Sequence, residues 1–138
     1  VSKINGTTRQ PGPEGHGGVA LAPRRHRVYV NHLYLGLVQV YDLRTGRHLR
    51  DVLTGTGTNS MVVSGGTLYA ANYFAGYISV IDQKTYGVTR LITTGLLPNQ
   101  LLAWKPNTFL VIDKSSAVLD GGYAQNRGVD RIWKVRRI

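Results

Sequence analysis

Cysteine is absent from the 138 residues. That excludes a disulfide framework, cysteine-ligated zinc and thiol nucleophiles. Acidic residues are scarce: seven Asp and Glu face seventeen Lys and Arg, a formal charge of +10. No apolar run approaches the ~20 residues that a membrane-spanning helix needs, and no segment keeps a helical 3.6-residue period. Glycine, by contrast, is plentiful. Its seventeen copies are too many for a helical bundle and too irregularly placed for collagen. A hydrophobic content of 42% supports a packed core, and the length allows one domain at most. The excess positive charge favours anionic partners such as nucleic acid, lipid head groups or acidic proteins; it equally serves as surface charge that keeps strand edges unpaired. The chain opens at Val1, and the expectation is a processed form or a piece of something longer.

The chain repeats itself, and repeats decide architecture. Val28-Tyr29-Val30-Asn31-His32-Leu33 returns as Leu68-Tyr69-Ala70-Ala71-Asn72-Tyr73, and Gly36-Leu37-Val38-Gln39-Val40-Tyr41-Asp42 returns as Gly76-Tyr77-Ile78-Ser79-Val80-Ile81-Asp82. Both pairs are offset by 40, as are Gly55/Gly95 and Asn59/Asn99; a third copy starts near Leu97 and reaches Phe109-Leu110-Val111-Ile112 at an offset of 41. Each unit holds four short β-rich runs separated by turn signals. Four strands per ~40 residues, joined as an antiparallel meander, predict the blade of a β-propeller. Apolar residues at alternate positions, such as Val38/Val40 and Ile78/Val80, face one neighbouring blade, while the residues between them face the other. Asp42 and Asp82 close their strands and are expected to accept hydrogen bonds from the amides of the next turn.

These residues carry a resemblance. Val28-Tyr29-Val30-Asn31 and Leu68-Tyr69-Ala70-Ala71-Asn72, each followed by a V-x-V-x-D-like strand, resemble the YVTN-type β-propeller repeat over roughly residues 15–112. Unit two matches through Gly76–Asp82, Thr85 and Gly95–Pro98, and unit three only in its first half. The resemblance implies all-β propeller blades and a secreted or periplasmic location. It leaves the activity open, because such propellers include surface-layer proteins, lyases, dehydrogenase subunits and binding scaffolds.

Three blades do not close a ring, which takes about four at least. Blade one is placed at 16–54, blade two at 58–94 and blade three at 97–138, with an insertion at 114–127. The third strand of blade three recovers at Arg131-Ile132-Trp133-Lys134-Val135, with no outer strand after it. Val1-Ser2-Lys3-Ile4 resembles a surplus outer strand. One option is that a second copy contributes that strand and closes a six-bladed ring; the other is that further blades lie on a separate chain. An open stack would expose two apolar faces.

The meander sorts loops to two ends. One end collects His16, Asn59 and Asn99 from loops entering each blade, and Asn31, His32, Asn72, Tyr73, Phe74, Asp113 and Lys114 from loops joining second and third strands. The insertion, with Asp120, Tyr123, Gln125, Asn126 and Arg127, falls there too; such additions to a minimal repeat tend to carry function. The candidate ligand-binding set is therefore His16, His32, Asn72, Tyr73, Asp113, Tyr123 and Arg127. Asn31 and Asn72 have a structural alternative, holding their loops through side-chain-to-backbone bonds. No catalytic residue is assigned, and Glu14 is an isolated acid in a Pro/Gly loop. No cofactor is expected, although His16, His32 and Asp113 are of the types that ligate a divalent metal. The opposite end is basic, with Arg24, Arg25, Arg27, Arg44 and Arg47 as an alternative anion-binding set. The first expectation is a scaffold binding a small molecule or a protein partner at the insertion-bearing end. The alternative is a propeller lyase or hydrolase, metal-assisted or not, with its site at that end. The third is anion or nucleic-acid binding at the arginine-rich end, where stacking aromatics are sparse.

Overall fold

The computed structural model describes residues 15–94, 97–114, 117–120, 123–126 and 130–136, with the backbone alone for His16, 117–120 and 123–126. The proposed closing strand at residues 1–4 lies outside them. Strands β1 (His16–Ala22), β2 (Arg27–His32), β3 (Leu37–Asp42) and β4 (His48–Leu53) form one antiparallel sheet in sequential order. Strands β5 (Thr58–Ser64), β6 (Thr67–Asn72), β7 (Tyr77–Asp82) and β8 (Val88–Thr93) form a second of the same order. Strands β9 (Leu97–Lys105), β10 (Thr108–Lys114) and β13 (Arg131–Arg136) form a third, in which β10 is central. The helical content among the described residues is one 3-10 turn, Pro23–Arg25. The architecture is thus all-β, in propeller blades.

The repeat is legible atom by atom. Val28 pairs with Tyr41 and His32 with Leu37; forty residues on, Leu68 pairs with Ile81 and Asn72 with Tyr77. The first strands gather side by side, β1 beside β5 and β5 beside β9, while the sheets fan away from them. Alternation then divides the core into two slabs. Between blades one and two lie Tyr29, Val38, Val40, Leu68, Ala70 and Ile81. Between blades two and three lie Tyr69, Ala71, Ile78, Val80, Phe109 and Val111. Tyr69 and Phe109 meet with ring centroids 4.4 Å apart. Only blade two is sandwiched among the described residues, and its strand β6 is buried along its whole length. Each fully buried aliphatic side chain in these slabs contributes about 1.5–3 kcal/mol.

The end faces contrast with this middle. On the outer face of blade one, Val19 and Leu53 are 64% and 76% exposed. On the outer face of blade three, Leu102 and Ile132 are 62% and 72% exposed, beside an exposed Trp104. Val19 alternates with the buried Ala20 along β1, so the exposure belongs to one side of the sheet and not to a frayed strand.

The turns between third and fourth strands are built by one device. Oδ1 of Asp42 accepts from the amides of Arg44 and Thr45 at 3.0 and 2.9 Å, and Oδ1 of Asp82 accepts from Lys84 and Thr85 at 2.7 and 2.8 Å. Thr45 and Thr85 hydroxyls then accept from the amides of Arg47 and Gly87. These bonds favour the ionised carboxylates and hold both below the ordinary aspartate range, the Thr45 and Thr85 amides being the largest causes. A lowered folded-state value means the native state binds protons more weakly than the unfolded chain. The associated stability is present above the ordinary value, near pH 4, and is lost as pH falls through the lowered one. Denaturant titrations should therefore show stability dropping below about pH 4, with a shallower drop in the Asp42→Asn/Asp82→Asn variant. Equal slopes in both proteins would exclude these turns as the acid-sensitive element.

The insertion placed at 114–127 carries secondary structure of its own among the described residues. It contains two paired strands, β11 (Ala117–Asp120) and β12 (Tyr123–Asn126), with Ala117 opposite Asn126 and Asp120 opposite Tyr123. The Ser, Gly and Asn content obscured the short alternating runs.

Candidate functional site

Strand direction decides which loops share an end. β1 enters opposite the exit of β2, since His16 pairs with His32. The links between blades and the loops joining second to third strands therefore lie together. They are stitched by backbone bonds: Gly57 donates to Leu33, Tyr73 donates to Gly57 at 2.8 Å, and Gly55 donates to Gly36 at 3.1 Å. Two of these positions need glycine. Gly36 has φ +62°, and a Cβ there would stand 2.6 Å from the Gly55 carbonyl oxygen; Gly57 has φ +79°, and a Cβ would stand 2.5 Å from the Phe74 amide.

Beneath that surface runs a buried polar network. Asn72 donates through Nδ2 to Oγ of Ser79 at 2.9 Å and to the Thr54 carbonyl at 3.4 Å. Its Oδ1 accepts from the Thr58 hydroxyl at 2.7 Å. Asn31 donates to the Thr58 carbonyl at 2.5 Å, and Ser79 and Tyr77 hydroxyls both donate to the Thr54 carbonyl. Thr54 and Thr58 flank the link between blades one and two, so these side chains fasten one blade to the next. Unpaired, each such buried group would cost about 1–3 kcal/mol.

The site residues named from the sequence fall into three groups. Asn72 and Asp113 are fully buried between blades. Asp113 accepts from the Trp133 indole at 3.0 Å through Oδ2, while its Oδ1 has no partner among the described residues. His32 is buried, with Nδ1 3.4 Å from the Leu35 amide. It belongs to blade one and Asp113 to blade three, with blade two between them. Among the described residues no three His, Asp or Glu side chains gather as a metal would require. Tyr73 is half-buried and meets Phe74 edge-on at 5.3 Å. The side chains of His16 and Tyr123, and Arg127 altogether, lie outside what is described.

What that end does present is apolar. Tyr34 and Phe74 are 58% and 59% exposed, and Leu35 beside Tyr34 is exposed as well. Tyr34 and Leu35 escaped the sequence-based set because the repeat comparison stopped at Leu33. The available signal was the run Leu33-Tyr34-Leu35 in a turn that needs no apolar residue. Lys114 closes a 2.6 Å ion pair with Asp130 across the base of the β11–β12 addition.

The arginine-rich end gathers the turns joining first to second and third to fourth strands. Arg27 pairs with Asp42 at 3.2 Å, and its Nε donates to the Tyr86 hydroxyl at 3.0 Å. Arg44 reaches His26 at 2.8 Å. Arg50 lies over the Tyr86 ring, 5.2 Å from its centroid.

No protein-family model matches the chain, and no curated protein matches it. Solved structures do. Hydrazine synthase of Kuenenia stuttgartiensis aligns over 85% of this chain at 19% identity and a TM-score of 0.69. The dihydro-heme d1 dehydrogenase NirN aligns over 87% at 21% identity and 0.64, and the WD40 repeats of RRP9 over 72% at 10% identity and 0.62. These alignments cover 34%, 28% and 31% of those chains, so this chain spans about a third of their length. At such identities the likeness shows the fold alone, that of a β-propeller.

Proposed function

We propose that the chain supplies three consecutive blades of a propeller ring, completed by a second copy or a separate chain, and works as a scaffold binding a ligand or protein partner at the end bearing β11–β12. The observation that carries the binding reading is the exposure of Tyr34, Leu35 and Phe74 on consecutive turns stitched into one surface. The Tyr34 and Phe74 rings lie against Gly15 and Gly57 yet keep more than half of their surface open, and half-covered aromatic side chains are typical anchors of recognition surfaces. The two uncovered end faces support the ring. The doubled V/L-Y…V-x-V repeat also supports membership of the YVTN-type propellers. An enzymatic role at the same end would need reacting groups in the open, whereas Asn72 and Asp113 are buried between blades.

The test compares the two ends. The tagged chain, a Tyr34→Ser/Phe74→Ser variant and an Arg44→Gln/Arg47→Gln variant are each used to capture partners, and the co-purifying species are quantified. Capture of a specific partner should fall at least about tenfold in the first variant, as loss of two aromatic anchors implies, and hold in the second. Capture that survives the aromatic changes and disappears with the arginines would place the working surface at the other end.

A further inference from the structure

At the basic end, two adjoining cavities open between blades one and two. The larger, about 760 Å³, is walled by the apolar Leu21, Ala22, Pro23 and Val63. Arg24, Arg25 and Gln83 line both cavities. The smaller, about 490 Å³, adds Arg27, Lys84 and Tyr86. No carboxylate lines either one among the described residues. Asp42 is engaged by Arg27, and Asp82 is spent on its own turn. Arg24, Arg25 and Lys84 make no salt bridge among the described residues. The result is a cleft with an apolar wall at one side and an excess of positive charge at the other.

Its frame is partly strained. Gln83 is buried, with Oε1 accepting from the Tyr29 hydroxyl at 3.0 Å, which leaves its amide nitrogen as a donor. Tyr86 has φ +60°, where the equivalent residue of blade one is Gly46 at +70°. A tyrosine in the left-handed region costs roughly 1–2 kcal/mol. The side chain that bears this cost stands in the cleft wall, gripped by Arg27 and under Arg50. Strain of this kind concentrates where a residue is needed for something besides folding.

We propose that this cleft binds a small phosphate monoester with an apolar body. Arg24 and Arg25, unpaired among the described residues, with Lys84 and an amide donor beside them, suit a dianionic head group, the arginines taking it in two-pronged fashion. The Leu21, Ala22, Pro23 and Val63 wall takes the body, in a volume within the usual range of small-molecule sites. A nucleic acid would use the whole basic end, whereas the cleft selects a ligand that offers both charge and apolar surface.

Calorimetric titration with phenyl phosphate, inorganic phosphate and phenol tests this. Phenyl phosphate should bind at least about tenfold more tightly than either fragment-like probe. The Arg24→Gln/Arg25→Gln variant should lose about tenfold or more, the worth of one or two charge-assisted bonds. The Arg44→Gln/Arg47→Gln variant removes the same charge at the same end outside the cleft, and should stay within about twofold. Circular dichroism confirms that both variants keep the β fold, as expected for turn residues on the surface. Equal affinity for phenyl phosphate and inorganic phosphate overturns the proposal. So does equal loss in the two double variants, which would mark a diffuse field, or an absence of heat with phenyl phosphate up to about 10 mM.

Discussion

Replacing Tyr29 with alanine is expected to remove about 3–5 kcal/mol of folding stability, a large share of what a domain of this size possesses. The side chain is wholly buried in the slab between blades one and two, against Val38, Val40, Leu68 and Ala70. Its loss opens a cavity that two sheets, each pinned by its own ladder, cannot collapse to fill. Tyr29→Phe keeps the ring but leaves the Gln83 oxygen without its donor, and should cost about 1–2 kcal/mol. The phenol also reports on pH. Burial, reinforced by the neighbouring Tyr86 and partly offset by Arg25 and Arg27, pushes it up to about 12. The native state then holds this proton more tightly than the unfolded chain does. Stability from this group is complete below about pH 10 and is lost as pH rises toward and through about 12. Urea titrations across that range should show a decline that flattens in Tyr29→Phe. Tyr41, also raised by burial, supplies a remaining slope. An alanine variant as stable as the parent would mean that the two blades do not pack through this residue.

The blades were legible because each is a local object. The alternation of Val38/Val40 and Ile78/Val80 and the Asp42 and Asp82 turns each lie within one hairpin's reach, and the offset of 40 repeats them from blade to blade. The structure pairs these segments as the sequence suggests. Contacts between blades were not legible. Tyr29 meets Gln83 across 54 positions, and Arg27 meets Tyr86 across 59. No periodicity announces such pairs. The cleft draws on both units for the same reason: Arg24 and Arg25 were visible as a basic turn, while Lys84, Gln83 and Tyr86 belong to the next repeat. Asn72, read as part of the loop after its second strand, is the last residue of β6, and its burial was not legible because polar residues near strand ends read alike whether they face water or a neighbouring blade. Here Thr54 and Thr58 absorb its amide. The β11–β12 pair stayed hidden because each strand is only four residues long.

The second large effect concerns the end faces. Leu102 and Ile132 lie on one side of blade three with Trp104, which stands between Lys105 and Lys134 at 5.1 and 5.3 Å from its ring centroid. In blade two the corresponding sides are covered, and Leu68, Ala70, Ala71 and Ile78 are inaccessible to water. Among the described residues, one repeat thus shows what a covered face looks like, and the other two each show one face uncovered. Covering each large apolar side chain is worth about 1.5–3 kcal/mol. Leu102→Asp with Ile132→Asp should therefore weaken association by well over tenfold while leaving the blades folded, since both residues already meet water. The same change at Ile78 should unfold the chain, because a carboxylate would be buried there without a partner.

The most direct measurement is the solution mass of the 138-residue chain by sedimentation equilibrium at micromolar concentration. The proposed ring, in which the outer faces of blades one and three need covering, predicts a species heavier than the 15.2 kDa chain, returning toward that mass in the Leu102→Asp/Ile132→Asp variant. A monodisperse, folded 15.2 kDa monomer in both proteins would contradict the account, because the end faces would then need no covering.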